Sequence, residues 1–272
     1  MISQWVTELA AWSITAFAAL LFAAQVLARE LGTWIGRRYA ARHDGAAEGT
    51  GILVGAMLGL LGFVLALTLS FANARFEERR AGTLAEANAI GTAWLRAEAI
   101  GHPRGTEIAR LLEGYTVLRA DYVRAPRDLA LIAVLTERAG AVQAEIWGHL
   151  SALVRERTDP VAVSLMAALN EVFDMATAER FAYALRLPAQ LFWLLVGMAL
   201  LGMAAVGFQL GLRGRPLRAL SMLLTAMWTV VIVDILDLAA ARLGSFRTSA
   251  TVYEWTLEGF QGSPRIPPVP RP

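Results

Sequence analysis

Cysteine and lysine are both absent from the 272 residues. The lack of cysteine excludes disulfides, thiolate metal sites and cysteine nucleophiles. The lack of lysine makes every one of the 25 basic residues an arginine, which we ascribe to base composition acting alongside abundant alanine. An excess of one charge is missing too: the net charge is +2, so no nucleic-acid footprint is indicated. The three histidines, His43, His102 and His149, lie far apart with no ligand spacing, and neither a metal nor a cofactor is expected. No phosphate loop, nucleophile elbow or HExxH pattern occurs, and no enzymatic activity is expected. No DxDxDG spacing supports a calcium loop. The first residues, Met1 to Trp12, lack the basic region of a signal peptide, so the apolar segment behind them is read as a retained span.

What the chain has instead is apolar length. It is 56% hydrophobic, with a mean hydropathy of +0.48, well above a soluble domain. The run Gly49 to Ala74 carries no charge until Arg75 and the segment FEERR. A helix needs roughly 20 apolar residues to cross a bilayer core, so this stretch is long enough. Gly51, Gly55 and Gly59, with Gly62 just beyond, form a small-residue face that admits another helix at close range. Three further spans are expected: Leu9–Ala28, Leu187–Leu212, which carries Gly207 and Gly211, and one from Ala219 to about Val233. Trp12 and Trp34 read as interface anchors. The residues Phe76 to Arg186 are charged, alanine-rich and helix-periodic, and predict four extramembrane helices. Asp159-Pro160 is a cap followed by proline in the first turn of the last of these. The expected fold class is therefore all-α and integral to the membrane, with four transmembrane helices and a helical domain inserted between spans two and three. The expected divisions are 1–74, 75–186, 187–244 and a tail, 245–272, that is proline-rich and disordered at its end.

Orientation is balanced. One side carries Arg29, Arg37, Arg38, Arg42, Arg213, Arg215 and Arg218 in short loops; the other carries Arg75, Arg79, Arg80, Arg180, Arg186, Arg242 and Arg247. Long domains largely escape the positive-inside rule, and the short loops alone favour an external helical domain.

Three constellations could carry function. Asp234 and Asp237 share a helix face near the end of span four, where carboxylates mark ion paths or, at the interface, pair with Arg242 or Arg247. Glu86, Asn88, Thr92 and Arg96 on one helix, and Asn170, Asp174, Thr177 and Arg180 on another, could meet as a polar network. Such a network would fix helix register or sense ions. Arg75, Arg79 and Arg80 would form a positive ring at a pore mouth in an oligomer, with Phe63, Leu67, Phe71 and Asn73 as the constriction. The simpler reading is that these arginines anchor the helix at the headgroups.

Several segments together resemble the bacterial bestrophin-like membrane proteins, a domain family of unknown function. They are the glycine-rich span running into Arg75-Phe-Glu-Glu-Arg-Arg80; Glu86-Ala-Asn88-Ala-Ile-Gly91-Thr92-Ala-Trp94-Leu-Arg96; Tyr115 and Arg119; Asn170-Glu171 with Asp174, Arg180, Pro188 and Trp193; and Asp234 and Asp237 leading to Gly244. The DRP-type turn common after the family's final span is replaced here by Leu238-Ala-Ala-Ala-Arg242-Leu-Gly244. Bestrophins proper are pentameric anion channels with the second span at the pore. The resemblance thus implies a homo-oligomer in the bacterial inner membrane, in contact with lipid, passing small anions, with its helical domain in the cytoplasm. The competing expectation is a non-conducting scaffold or sensor whose helical domain binds a partner. A third is a proton channel using Asp234 or Asp237. Fold-level analogy leaves that choice open.

Overall fold

The computed structural model describes residues 14–43, 49–157, 159–185, 187–214 and 217–262. Trp12, Arg186, Arg215 and the proline-rich end lie outside them. Eight helices are found among the described residues: α1 (Ile14–Ala40), α2 (Thr50–Ala99), α3 (Pro103–Arg124), α4 (Leu129–Glu156), α5 (Pro160–Ala184), α6 (Ala189–Arg213), α7 (Arg218–Ala239) and α8 (Thr251–Gln261). Four stretches are long and apolar enough to cross a bilayer. They lie in α1, in α2, within Pro160–Arg213 and in α7. The protein is an all-α membrane protein, as its sequence predicts.

The chain forms two compact units, one of residues 1–76 and 186–247, the other of residues 77–185 and 248–272. The boundary falls inside α2.

The first unit is built on α1 and α6. Gly32 and Gly36 of α1 face Ala204 and Phe208, and Gly207 and Gly211 of α6 face Arg29 and Thr33. A β-carbon at Gly207 would lie 2.0 Å from the Arg29 carbonyl oxygen, and one at Gly32 would lie 2.0 Å from that of Ala204. The two helices therefore touch backbone to backbone, which only small residues permit. Around this crossing pack Phe17, Leu21, Leu61, Leu65, Met203 and Ile232. The expected close approach on span two differs: a β-carbon at Gly55, Gly59 or Gly62 would meet nothing within 4 Å, and one at Gly51 would meet only side chains. The Arg-rich loop expected after span one is also helix. α1 continues to Ala40, because Gly32 and Gly36 serve the α6 contact instead of breaking the helix, and Arg29, Arg37 and Arg38 are helical residues.

The second unit has conventional helix ends. Gly101 takes φ +61°, the left-handed conformation that stops α2. His102 then caps α3, and Asp128 and Asp159 cap α4 and α5 through backbone N–H groups. The core contains Ile90, Ile108, Leu112, Ile146, Leu150 and Leu169. Part of the expected tail is structured: α8 buries Tyr253 and Phe260, and Phe260 stacks on Trp94 at 4.9 Å between ring centroids. Tyr253, Leu257 and Phe260 fall at helical spacing, a short stripe that the prolines behind it obscure.

Candidate functional site

The second unit encloses a polar cluster. α2 supplies Thr83 and Glu86, α3 supplies Tyr115 and Arg119, α5 supplies Glu179, and α8 supplies Tyr253. All six are buried. The Arg119 guanidinium bridges the two acids. Its Nε donates to Glu86 Oε1 at 2.5 Å and its Nη2 to Glu86 Oε2 at 2.9 Å, while Nη2 also donates to Glu179 Oε2. Tyr253 donates its hydroxyl to Glu86 Oε2 at 2.7 Å. Tyr115 OH lies 3.4 Å from Glu86 Oε1 and accepts from Gln143 Nε2 at 2.9 Å. The Arg119 guanidinium also sits over the Tyr122 ring, 4.7 Å from its centroid.

Two carboxylates share one guanidinium here, so full ionisation would leave a buried negative charge. Burial and then the neighbouring Glu86 push the Glu179 carboxyl up to about 8. The geometry places the proton. Thr83 Oγ1 lies 2.9 Å from the Arg79 carbonyl oxygen and 2.5 Å from Glu179 Oε1. One hydroxyl hydrogen cannot serve two acceptors at these distances. A proton on Glu179 Oε1, directed at Thr83 Oγ1, satisfies both contacts. Burial opposes the charge of Arg119, yet Glu86 and Glu179 hold its pKa well above the usual value. Burial and Glu86 also raise Tyr115 and Tyr253, so neither tyrosine ionises.

Of the network residues expected from sequence, only Glu86 belongs to this cluster. Arg96 donates instead to the Ser164 carbonyl at 2.8 Å. Asn88, Asn170, Asp174 and Arg180 are exposed on the chain. Glu179, Arg119 and Tyr253 do the pairing in their place.

The first unit holds the remaining candidates. Asp237 is 5% exposed and accepts from Ser245 N at 2.7 Å and Phe246 N at 3.3 Å. A β-carbon at Gly244 would collide with its carboxylate at 2.4 Å. It therefore fastens the turn after α7 by backbone bonds. Asp234, three residues earlier, is half-buried, while Arg247 turns to the Gly244 carbonyl. Phe63, Leu67, Phe71, Asn73 and Arg75 are all exposed on the chain. The arginine ring is modified: Arg79 is 2% exposed, and Arg80 pairs with Glu77 at 3.1 Å. Trp34 is exposed, with the Arg38 guanidinium 3.8 Å above its ring.

Among the described residues, one trio of potential metal ligands comes together: Glu107, Glu145 and His149, with ligating atoms within 4.8 Å of one another. Glu145 and His149 stand four apart on α4, a spacing that separate inspection of the histidines misses. Glu107 is already engaged by Arg110.

Comparison with solved structures decides the architecture. Two single-substitution variants of a bacterial bestrophin homologue from Klebsiella pneumoniae superpose with TM-scores of 0.65 and 0.61. Each covers 92% of this chain, at 15% identity, and 98% and 99% of its own. The fold is bestrophin-like. No protein-family profile and no curated protein matches the chain. The bestrophin-like fold is thus carried by a sequence that shares few residues with its structural neighbours.

Proposed function

We propose that this bestrophin-like protein is a homo-oligomeric anion channel of the bacterial inner membrane, with the first half of α2 lining its pore and its helical unit in the cytoplasm. One observation carries this reading. At 100° per residue, Val54, Leu61, Leu65 and Ala72 share one side of α2, and all are buried within the chain. Phe63 lies on the opposite side at 61% exposure, flanked by Gly59 and by Ser70. Small residues alternating with one large apolar ring suit a narrow conduit with an apolar constriction. Arg75 closes the uncharged run and would supply positive charge at its mouth. Bestrophins proper, with the same order of elements, are pentameric anion channels.

Halide flux through protein reconstituted in liposomes tests the reading. The wild type is expected to conduct, Phe63→Ala to conduct faster and Arg75→Glu to lose anion preference. No flux from any of the three, with insertion verified, would overturn the channel reading in favour of a scaffold.

A further inference from the structure

Two cavities of the first unit share a wall. The smaller is polar, with about 50 Å³ of open space, and is lined by Arg29, Glu30, Thr33, Arg37, Arg218 and Ser221. The larger, of about 390 Å³, is apolar and runs along Val54, Leu58, Val206, Leu220, Leu223 and Met227. Leu210, Leu217 and Ser221 line both. The polar cavity holds three guanidiniums against one carboxylate. Arg29 is buried, donating to Ser221 Oγ at 2.6 Å and pairing with Glu30. Arg37 and Arg218 are exposed, and among the described residues their guanidiniums have no hydrogen bond or ion pair. Arg37 lies eight residues beyond Arg29, about 12 Å along the helix, so the positive groups are stepped in depth.

We propose that this composite cavity binds an anionic phospholipid, its phosphate between Arg37 and Arg218 and one acyl chain in the apolar groove. Three features converge on that chemistry. The excess positive charge sits at the helix ends where α1, α6 and α7 carry their arginines, the level at which headgroup phosphates lie. Both free guanidiniums can grip phosphate oxygens. The groove that opens from the same wall has no polar group to satisfy beyond Gln209 and Ser221, so it suits a hydrocarbon chain better than a peptide. Arg29, held by Ser221 and Glu30, forms the fixed floor of the headgroup cavity and positions it relative to α7.

Lipid retention by the purified full chain tests the site, read by native mass spectrometry after exchange into micelles containing phosphatidylglycerol or phosphatidylcholine. Phosphatidylglycerol is expected to be retained preferentially. Arg37→Ala with Arg218→Ala should lower that retention about tenfold or more. Arg38→Ala, which removes a neighbouring charge that does not line the cavity, should leave it unchanged. Leu223→Trp, at an exposed position, should fill the groove and weaken the long-chain lipid while thermal unfolding stays as in the wild type. Millimolar inorganic phosphate should not displace the lipid. Equal retention of both lipids would overturn the proposal, as would an Arg38→Ala loss matching the double variant. Full displacement by phosphate, with Leu223→Trp silent, would overturn it in favour of a free oxyanion site.

Discussion

Glutamine at position 179 would keep the shape of the protonated glutamate, donating to Thr83 and accepting from Arg119, without the ability to ionise. The sign of its effect follows from the raised carboxyl. Between pH 4.5, the ordinary glutamate value, and about 8, the folded state holds a proton that the unfolded state has released. Stability therefore falls as pH rises through that window, with a limiting slope of about 1.4 kcal/mol per pH unit. Glu179→Gln is expected to flatten that slope in thermal unfolding measured from pH 5 to 8. Arg119→Ala acts in the other direction. It strands two buried acids and should cost about 3–5 kcal/mol near neutral pH, measured by denaturant unfolding of the helical unit. Tyr253→Phe removes only one donor to Glu86 and should cost about 1.5–3 kcal/mol in the same assay.

Helix crossings set the next scale. At the α1–α6 contact a valine at position 207 has no room, because the obstructing atoms are backbone atoms of Arg29. Overpacking of this kind costs about 1–3 kcal/mol or more. Gly207→Val should lower the thermal midpoint in detergent, whereas Gly59→Val, where nothing lies within 4 Å, should leave the single chain's stability nearly unchanged. This contrast also marks what could be read in advance. The four apolar spans and the Asp159 cap were legible because each is a local signal, whereas the end of span one was not, because α1 runs on to Ala40. Which glycine face meets a partner was not, since Gly51, Gly55 and Gly59 show the same spacing as Gly207 and Gly211. Of the polar cluster, the expected network contained only Glu86. Leu165, Leu169, Val172, Ala176 and Glu179 follow one helical stripe, so a charged residue in an otherwise apolar stripe was the available signal. Asn170 and Asp174 on the same helix lie outside that stripe and are exposed. Tyr253 gave less warning, since its helix adjoins a proline-rich segment and gains its stability from tertiary burial.

At the level of the molecule, oligomerisation is the property on which the channel reading turns. Light scattering in mild detergent is expected to give a mass several times that of one 29.4 kDa chain, and a monomer would remove the basis for a pore built from α2. The cluster joining Glu86 to Tyr253 bears on how the molecule is made. These partners are 167 residues apart, and α6 and α7 are translated between Glu179 and Tyr253. At about 5–20 residues per second, α8 follows Glu86 out of the ribosome by roughly 8 to 33 s. Over the last 74 residues of that interval Glu86, Arg119 and Glu179 have all been synthesised, but the tyrosine that completes their hydrogen bonds has not. The buried acid pair therefore receives its tyrosine donor only after the two apolar helices α6 and α7 have been synthesised.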